Sequence, residues 1–318
     1  MIEAIIKRIM AGGEIGFGEA HDLIRTAPVR ELCHGADRLC RHVHGDVFDL
    51  CSIINSRAGR CSEDCKFCAQ SVHYPTTVES YESIPVEEAL DQARENDDHG
   101  VKRISLVTAG RSVGEASLNG FGRIYHEMGE QTDLLFCASM GLLTPEKARR
   151  LKTFGVIRYH CNLEACEEFF GTVCTTHTYR QKVETLQIAR EAGMDLCSGG
   201  IVGMGESLEQ RLQLAFELRD LHILSIPINI LTPIAHTPFA HMTPLTTEEI
   251  LKCIALFRLI NPQAVVRLAG GRNSMGEDQY RCFRAGANGA IVGNYLTTAG
   301  NSLDEDLERI GGLGFSFR

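Results

Sequence analysis

The sequence predicts an α/β protein: a (β/α)8 TIM-type barrel carrying an N-terminal helical extension. Three observations lead there. From Val47 onward, short apolar and β-branched runs alternate with stretches of helical periodicity. Eight such runs can be found, the number that closes a parallel barrel. The chain has 318 residues, against about 250 for a typical barrel, and part of the surplus sits ahead of the first strand. A doubly wound sheet is the alternative fold for the same rhythm.

In order, residues 1–46 read as a helical cap, with apolar residues at helical spacing in Ile2 to Met10, Phe17 to Arg25 and Val29 to Val43. Residues 47–318 form the barrel with a C-terminal tail and no linker to a second domain. The predicted strands are Val47–Ile54, Arg103–Thr108, Leu134–Ser139, Val156–Asn162, Asp195–Gly199, Ile223–Leu231, Ala264–Leu268 and Gly289–Val292. Helices fill the gaps: Val86–Glu95, Leu118–Glu130, Pro145–Thr153, Tyr179–Glu191, Ser207–Leu221, Thr247–Ile260 and Met275–Ala285. Pro145 after Thr144 marks a helix start, and Thr246 followed by Glu248 and Glu249 reads as a cap with first-turn acids. Gly155, Gly193 and Gly286 stand where helices end before strands.

Composition narrows the class. The net charge of −9 is spread along the chain without a basic cluster, which argues against a nucleic-acid partner. No leader is evident, and no apolar stretch reaches the ~18 residues of a membrane span, so a cytoplasmic protein is expected. Its 13 cysteines should then be thiols or metal ligands rather than disulfides.

The chemistry concentrates in Arg60-Cys61-Ser62-Glu63-Asp64-Cys65-Lys66-Phe67-Cys68, directly after the first predicted strand. Cys61, Cys65 and Cys68 stand at spacing C-x3-C-x2-C. Three thiolates leave one iron of a 4Fe-4S cluster open to a small molecule. A zinc knuckle is the competing reading, but such sites pair their cysteines in two separated sets, and no fourth ligand follows at zinc spacing.

The run Cys51 to Ser71, with Phe67 before the last Cys, resembles the biotin synthase family of the radical S-adenosylmethionine (AdoMet) superfamily. The resemblance continues at Tyr159 to Glu164, Thr175 to Tyr179, Cys197 to Glu206, Ile226 to Asn229, Val266 to Arg272 and Leu296 to Thr298. It implies that Cys61, Cys65 and Cys68 hold a 4Fe-4S cluster whose fourth iron binds AdoMet, and that Phe67 packs near the adenine. Reductive cleavage of AdoMet then yields a 5′-deoxyadenosyl radical able to take hydrogen from an unactivated carbon. It further implies an auxiliary Fe-S cluster, the sulfur donor, at Cys137, Cys197 and Arg267. In most of the family that cluster is 2Fe-2S. A buried unpaired arginine is unfavourable, and an anionic cluster would partner Arg267. Glu164, Gly199, Gly200 and Gly203 match AdoMet-binding positions. Asn162, Asn229, Thr297 and Thr298 match substrate-binding positions.

Two departures from the family pattern stand out. The usual fourth auxiliary ligand, a Cys on the second strand, aligns with Ser105, a poor iron ligand, while Cys161 stands where many members carry His. Cys137, Cys161 and Cys197 could form a three-thiolate set suited to a four-iron cluster with an extra sulfide; Cys166 is a weaker substitute. His177 stands where many members carry an Arg near AdoMet, so another cation must substitute or His177 must be protonated. Cys51, Cys174, Cys253 and Cys282 read as packing residues, with Cys51 close enough to the first cluster to stay open, and His34, His42 and His44 as surface or capping groups.

The function that the resemblance implies is sulfur insertion into dethiobiotin to form biotin. The reductant would be of flavodoxin or ferredoxin type and the assembly a homodimer. A related radical enzyme with another substrate, a non-catalytic Fe-S carrier and a zinc-binding module are the alternatives.

Overall fold

A computed structural model describes residues 2–293, 296 and 300–317. Its strands are β1 (Val47–Arg57), β2 (Arg103–Thr108), β3 (Leu135–Ser139), β4 (Val156–His160), β5 (Asp195–Cys197), β6 (Gly200–Val202), β7 (Ser225–Ile230), β8 (Val265–Leu268), β9 (Gly289–Ile291) and β10 (Ser316–Phe317). The first nine are hydrogen-bonded side by side in the order β5-β4-β3-β2-β1-β9-β8-β7-β6. β5 falls within the fifth predicted strand, while β6 continues the same run past the predicted end at Gly199 and pairs with β7 at the other edge of the sheet. The register across β6 and β7 sets Gly200 beside Ile228, which places Gly199 opposite Pro227. Proline offers no N–H to a ladder, and a Cβ on Gly199 would lie 1.8 Å from the Pro227 carbonyl oxygen. The strand therefore breaks at Ser198–Gly199, while Ser198 N–H still donates to Ser225 O at 3.0 Å.

Helices cover the outside as the periodicity predicts. Pro145–Thr153, Tyr179–Glu191 and Thr247–Ile260 match their predicted bounds. Thr144 caps the first through Lys147 N–H at 3.4 Å, and Thr246 forms a reciprocal box with Glu249. The seventh connection is a 3-10 segment, Arg272–Arg284, kinked at Gly276 (φ 53°), rather than an α-helix. The helices Glu167–Val173 and Leu303–Gly312 lie outside the predicted set. The C-terminal tail folds back and adds β10 in parallel to the start of β1, Val47 beside Ser316. The N-terminal helices Phe17–Thr26 and Val29–His44 pack on the helix Thr247–Ile260, and Ile2–Met10 packs on Val29–His44. There Arg258, fully buried, reaches His44 Nε2 at 3.0 Å. Burial and Arg258 hold the His44 pKa down at about 4, so this half-buried histidine is a neutral partner of Arg258 rather than a free surface group.

Strand alternation sorts the interior. Ile53, Ser105, Val107, Ser139, His160, Pro227, Asn229 and Ile291 line a cavity of about 360 Å³ at the C-terminal ends of the strands. Residues two positions earlier along the same strands therefore point into the barrel floor: Cys51, Arg103, Cys137, Arg158 and Ser225. On β8, Arg267 joins them through its bonds to Asp49 and Ser225.

Candidate active site

The three-cysteine loop follows β1 at the cavity mouth. Its backbone is tied by Cys61 N–H to Gln70 O (2.9 Å), Val72 N–H to Cys61 O (2.9 Å) and Cys68 N–H to Cys65 O (2.9 Å). A second clamp comes from the segment after the helix Glu167–Val173. The Asp64 carboxylate accepts from Thr175 N–H (2.8 Å), Thr176 N–H (3.1 Å) and the Thr175 hydroxyl. Burial alone would raise the Asp64 pKa, but these bonds outweigh it and hold the carboxyl below the usual range. Phe67 lines the cavity and packs with Ala165, Val173, Ile201 and Phe239. Cys61, Cys65 and Cys68 are all partly exposed, so each thiol can be reached from the mouth.

Above the strands, Glu164 holds an uncommon backbone conformation for a carboxylate residue, φ 69°. Its position is set by close approach: Glu164 N–H bonds Gly199 O at 3.1 Å, and a Cβ on Gly200 would lie 2.5 Å from Glu164 O. Burial raises the Glu164 pKa, and Lys182, 3.8 Å away, opposes that rise. Lys182 also donates to Asn162 O (2.8 Å) and lines the cavity. Asn162 Oδ1 accepts from Gly199 N–H at 3.2 Å. Asn229 Oδ1 accepts from Gly270 N–H (2.9 Å), and Nδ2 donates to Gly200 O (3.2 Å), leaving one amide hydrogen for the cavity. Glu206 clamps the glycine-rich turn from Gly203 N–H and Met204 N–H, both 2.7 Å. Thr297 and Thr298 lie outside the described residues.

The floor is a second cluster of thiols. Cys137 and Cys197 are fully buried there, as the resemblance implies. Cys51 stands with them: it is buried on the same floor, and its Sγ donates to Ser52 O at 3.6 Å. The neighbouring Cys137 thiol and the Arg267 guanidinium pull its pKa down to about 6. Cys161 stands elsewhere, on the wall of the cavity beside His160 and Asn162. His160, not Cys161, continues the inward row of β4, with Cys51 and Arg267 as its charged neighbours. Cys161 follows the end of the strand, one layer higher, with Lys182 and Glu164 nearby. Cys166 precedes the helix Glu167–Val173, away from the floor.

Arg267 has a protein partner that the sequence left unnamed: Asp49 Oδ1 accepts from its Nη2 at 2.6 Å. The arginine is therefore paired by a carboxylate without any cluster. The floor as a whole is not satisfied. Buried Nη1 of Arg103, Nε of Arg158 and Arg267, Oγ of Ser105 and Nε2 of His160 have no hydrogen-bond partner, while Arg103 Nε makes a long ion pair with Asp49 Oδ2 at 3.5 Å. Buried orphan donors on three guanidinium groups around three thiols are the surroundings of a missing anion. An Fe-S cluster held by thiolates fits that place. The mouth also fits one, with three partly exposed thiols held in one hydrogen-bonded loop.

His177 does not face the cavity. Its Nδ1 lies 2.6 Å from Glu63 Oε2 and 3.2 Å from Cys174 Sγ. Lys182 is the buried cation that stands beside the cavity instead, and periodicity gave no sign of it because it sits on an otherwise ordinary helix. Among the described residues no helix is long and apolar enough to cross a membrane.

Comparison with known proteins agrees with this geometry. The Radical SAM superfamily model matches residues 55–218, and the Biotin and Thiamin Synthesis associated domain matches residues 227–316. A biotin synthase of Desulfotalea psychrophila is 55% identical, covering 99% of this chain and 95% of the relative. A biotin synthase of Clostridium tetani is 46% identical, covering 99% and 98%. Among solved structures, methylornithine synthase (PylB) superposes with a TM-score of 0.86 at 15% identity, covering 99% of this chain and 97% of that one. The FeFe-hydrogenase maturase HydG from Carboxydothermus hydrogenoformans gives 0.83 at 19%, covering 99% and 79%. At those identities the likeness concerns the fold.

Proposed function

The chain belongs to the biotin synthase family of the radical AdoMet superfamily, and from that premise we propose how its residues divide the work. It is a radical AdoMet sulfurtransferase that forms biotin from dethiobiotin, using a 4Fe-4S cluster, AdoMet and an external reductant. Cys61, Cys65 and Cys68 would hold the 4Fe-4S cluster. When bound, cluster and AdoMet supply the 5′-deoxyadenosyl radical that takes hydrogen from unactivated carbon.

The remaining roles belong to the protein. Glu164 accepts from the ribose hydroxyls, and Lys182 supplies the cation for the AdoMet carboxylate that His177, turned toward Glu63, does not. Gly199, Gly200 and Gly203 keep the backbone bare where AdoMet approaches. Phe67 covers the adenine. Asn162 and the free amide hydrogen of Asn229 hold the substrate ring, and Thr297 and Thr298 its carboxylate. The apolar walls, Ile53, Val107, Ile201, Ile230 and Leu231, exclude water from the radical.

The observation that carries this reading is the vertical arrangement. A reachable three-thiol loop and a donor-rich thiol floor face each other across one cavity, so a substrate between them has the hydrogen-abstracting group above and the sulfur source below. We assign the auxiliary cluster to Cys51, Cys137 and Cys197 with Arg267, in place of a set containing Cys161. Three thiolates without Ser105 suit a four-iron cluster with an extra sulfide. Iron and acid-labile sulfide should fall by one cluster in Cys51→Ala and stay unchanged in Cys161→Ala; the reverse pattern restores Cys161. A flavodoxin- or ferredoxin-type protein is the one-electron donor the chemistry requires. A homodimer in the cytoplasm completes the reading, and the 13 free cysteines accord with a reducing compartment. Anaerobic incubation with AdoMet, dithionite and dethiobiotin tests the whole. Both 5′-deoxyadenosine and biotin are expected, and deoxyadenosine without biotin would remove the substrate.

A further inference from the structure

Beside the mouth, on the side away from the cavity, Cys65 meets two donors that the reaction does not use, Cys174 and His177. The ligand atoms of Cys65, Cys174 and His177 all lie within 4.8 Å of one another. Cys174 and His177 are buried and Cys65 is partly exposed. The three come from two segments that the Asp64 clamp holds together. Cys174 Sγ lies 3.1 Å from Asp64 Oδ1 and 3.2 Å from His177 Nδ1, and within 4.8 Å of Cys65 Sγ. Glu63, 2.6 Å from His177 Nδ1, is buried in the same wall. Two sulfurs and one imidazole nitrogen, backed by two carboxylates, form a soft donor set with the charge that a divalent ion needs.

We propose that Cys65, Cys174 and His177 form a mononuclear site for a zinc-type divalent cation in the cluster-free enzyme. Both cysteines bind as thiolates and release their protons, and His177 binds through a ring nitrogen, so no oxidant or reductant is involved. Because Cys65 is shared, this site and the three-cysteine cluster exclude each other. A chain awaiting its cluster keeps Cys65 and Cys174 ligated, and cluster assembly must displace the ion. The site rests on positions where this sequence carries Cys174 and His177, not on the three-cysteine motif as such.

The full chain, prepared free of iron, gives the test, with Co2+ as the spectroscopic probe and Zn2+ as competitor. Wild type should bind one Co2+ with the intense visible bands of tetrahedral coordination and thiolate charge transfer, displaced by one equivalent of Zn2+. Cys174→Ala and His177→Gln should weaken this on the order of 100-fold or more, the upper end of what even outer-sphere changes cause. Cys61→Ala and Cys137→Ala should leave it intact. Zinc added before reconstitution should slow 4Fe-4S formation in wild type and not in Cys174→Ala, whose successful reconstitution also reports that it folds. Binding lost in Cys61→Ala and kept in Cys174→Ala would place the ion in the three-cysteine loop and overturn the proposal. Failure of wild type to bind cobalt would overturn it equally, and neither outcome bears on biotin formation.

Discussion

The mouth and the floor of this barrel are both thiol sites, built by opposite means. At the mouth, Cys61, Cys65 and Cys68 come from one loop, shaped by local bonds and by the Asp64 clamp. On the floor, Cys51, Cys137 and Cys197 come from three strands, and the parallel register alone brings them together. A loop site can keep its reach through changes in the barrel. A strand site fixes its donors within a packed interior, where an unsatisfied charge is severe. The contrast is one between a replaceable reagent port and a rigid receptacle.

The sharpest way to break the comparison is at the mouth. Cys65→Ala should bring 5′-deoxyadenosine and biotin formation to background and remove the iron of one cluster, read by chromatography and iron analysis. Surviving AdoMet cleavage would dissolve the distinction. Next, Cys137→Ala should abolish biotin while reductive AdoMet cleavage persists with dithionite. Parallel loss of both activities would mean that the two sites are not separable. Third, Asp49→Asn leaves Arg267, 1% exposed, without its carboxylate. The cluster-free protein should lose ~3 kcal/mol, seen as a lower melting temperature. Reconstitution should recover much of that loss if the floor receives an anion. An equal loss with and without clusters would show that Arg267 does not face one. The smallest effect is expected for Glu164→Gln, an increase of about tenfold in the KM for AdoMet, ~1.4 kcal/mol, with little change in dethiobiotin binding. Because burial raises the Glu164 pKa, its carboxylate forms at higher pH than an exposed one. The KM for AdoMet should therefore fall as pH rises through that raised value in wild type, and lose this dependence in the variant.

Legibility followed the same division. The barrel strands other than β6 were readable, because period-two runs and bounding glycines are local signals. The fifth strand's break was not, since it depends on Pro227 standing across from Gly199, a fact of register. The mouth was readable from a nine-residue stretch, Arg60 to Cys68. Of the floor, Cys137, Cys197 and Arg267 were reached through family resemblance. Cys51 reads as packing with a link to the first cluster left open, because it sits in an apolar run with no local mark, and Cys161 lies one residue past β4 on the cavity wall. Asp49 could have been suspected: an acid inside the apolar Val47–Ile54 run asks for a buried cation. Cys174 and His177 carried no motif, and their meeting with Cys65 is a product of folding.

β10 has a bearing on when the enzyme can be equipped. The last described residues, Ser316 and Phe317, lie alongside Val47 and Phe48 at the root of the strand that leads to both thiol sites. The seam stays open until residues 316 and 317 have folded back onto β1. Loading of both sites should therefore follow this late pairing, and deleting residues 316–317 should yield a protein that takes up iron poorly despite retaining every ligand.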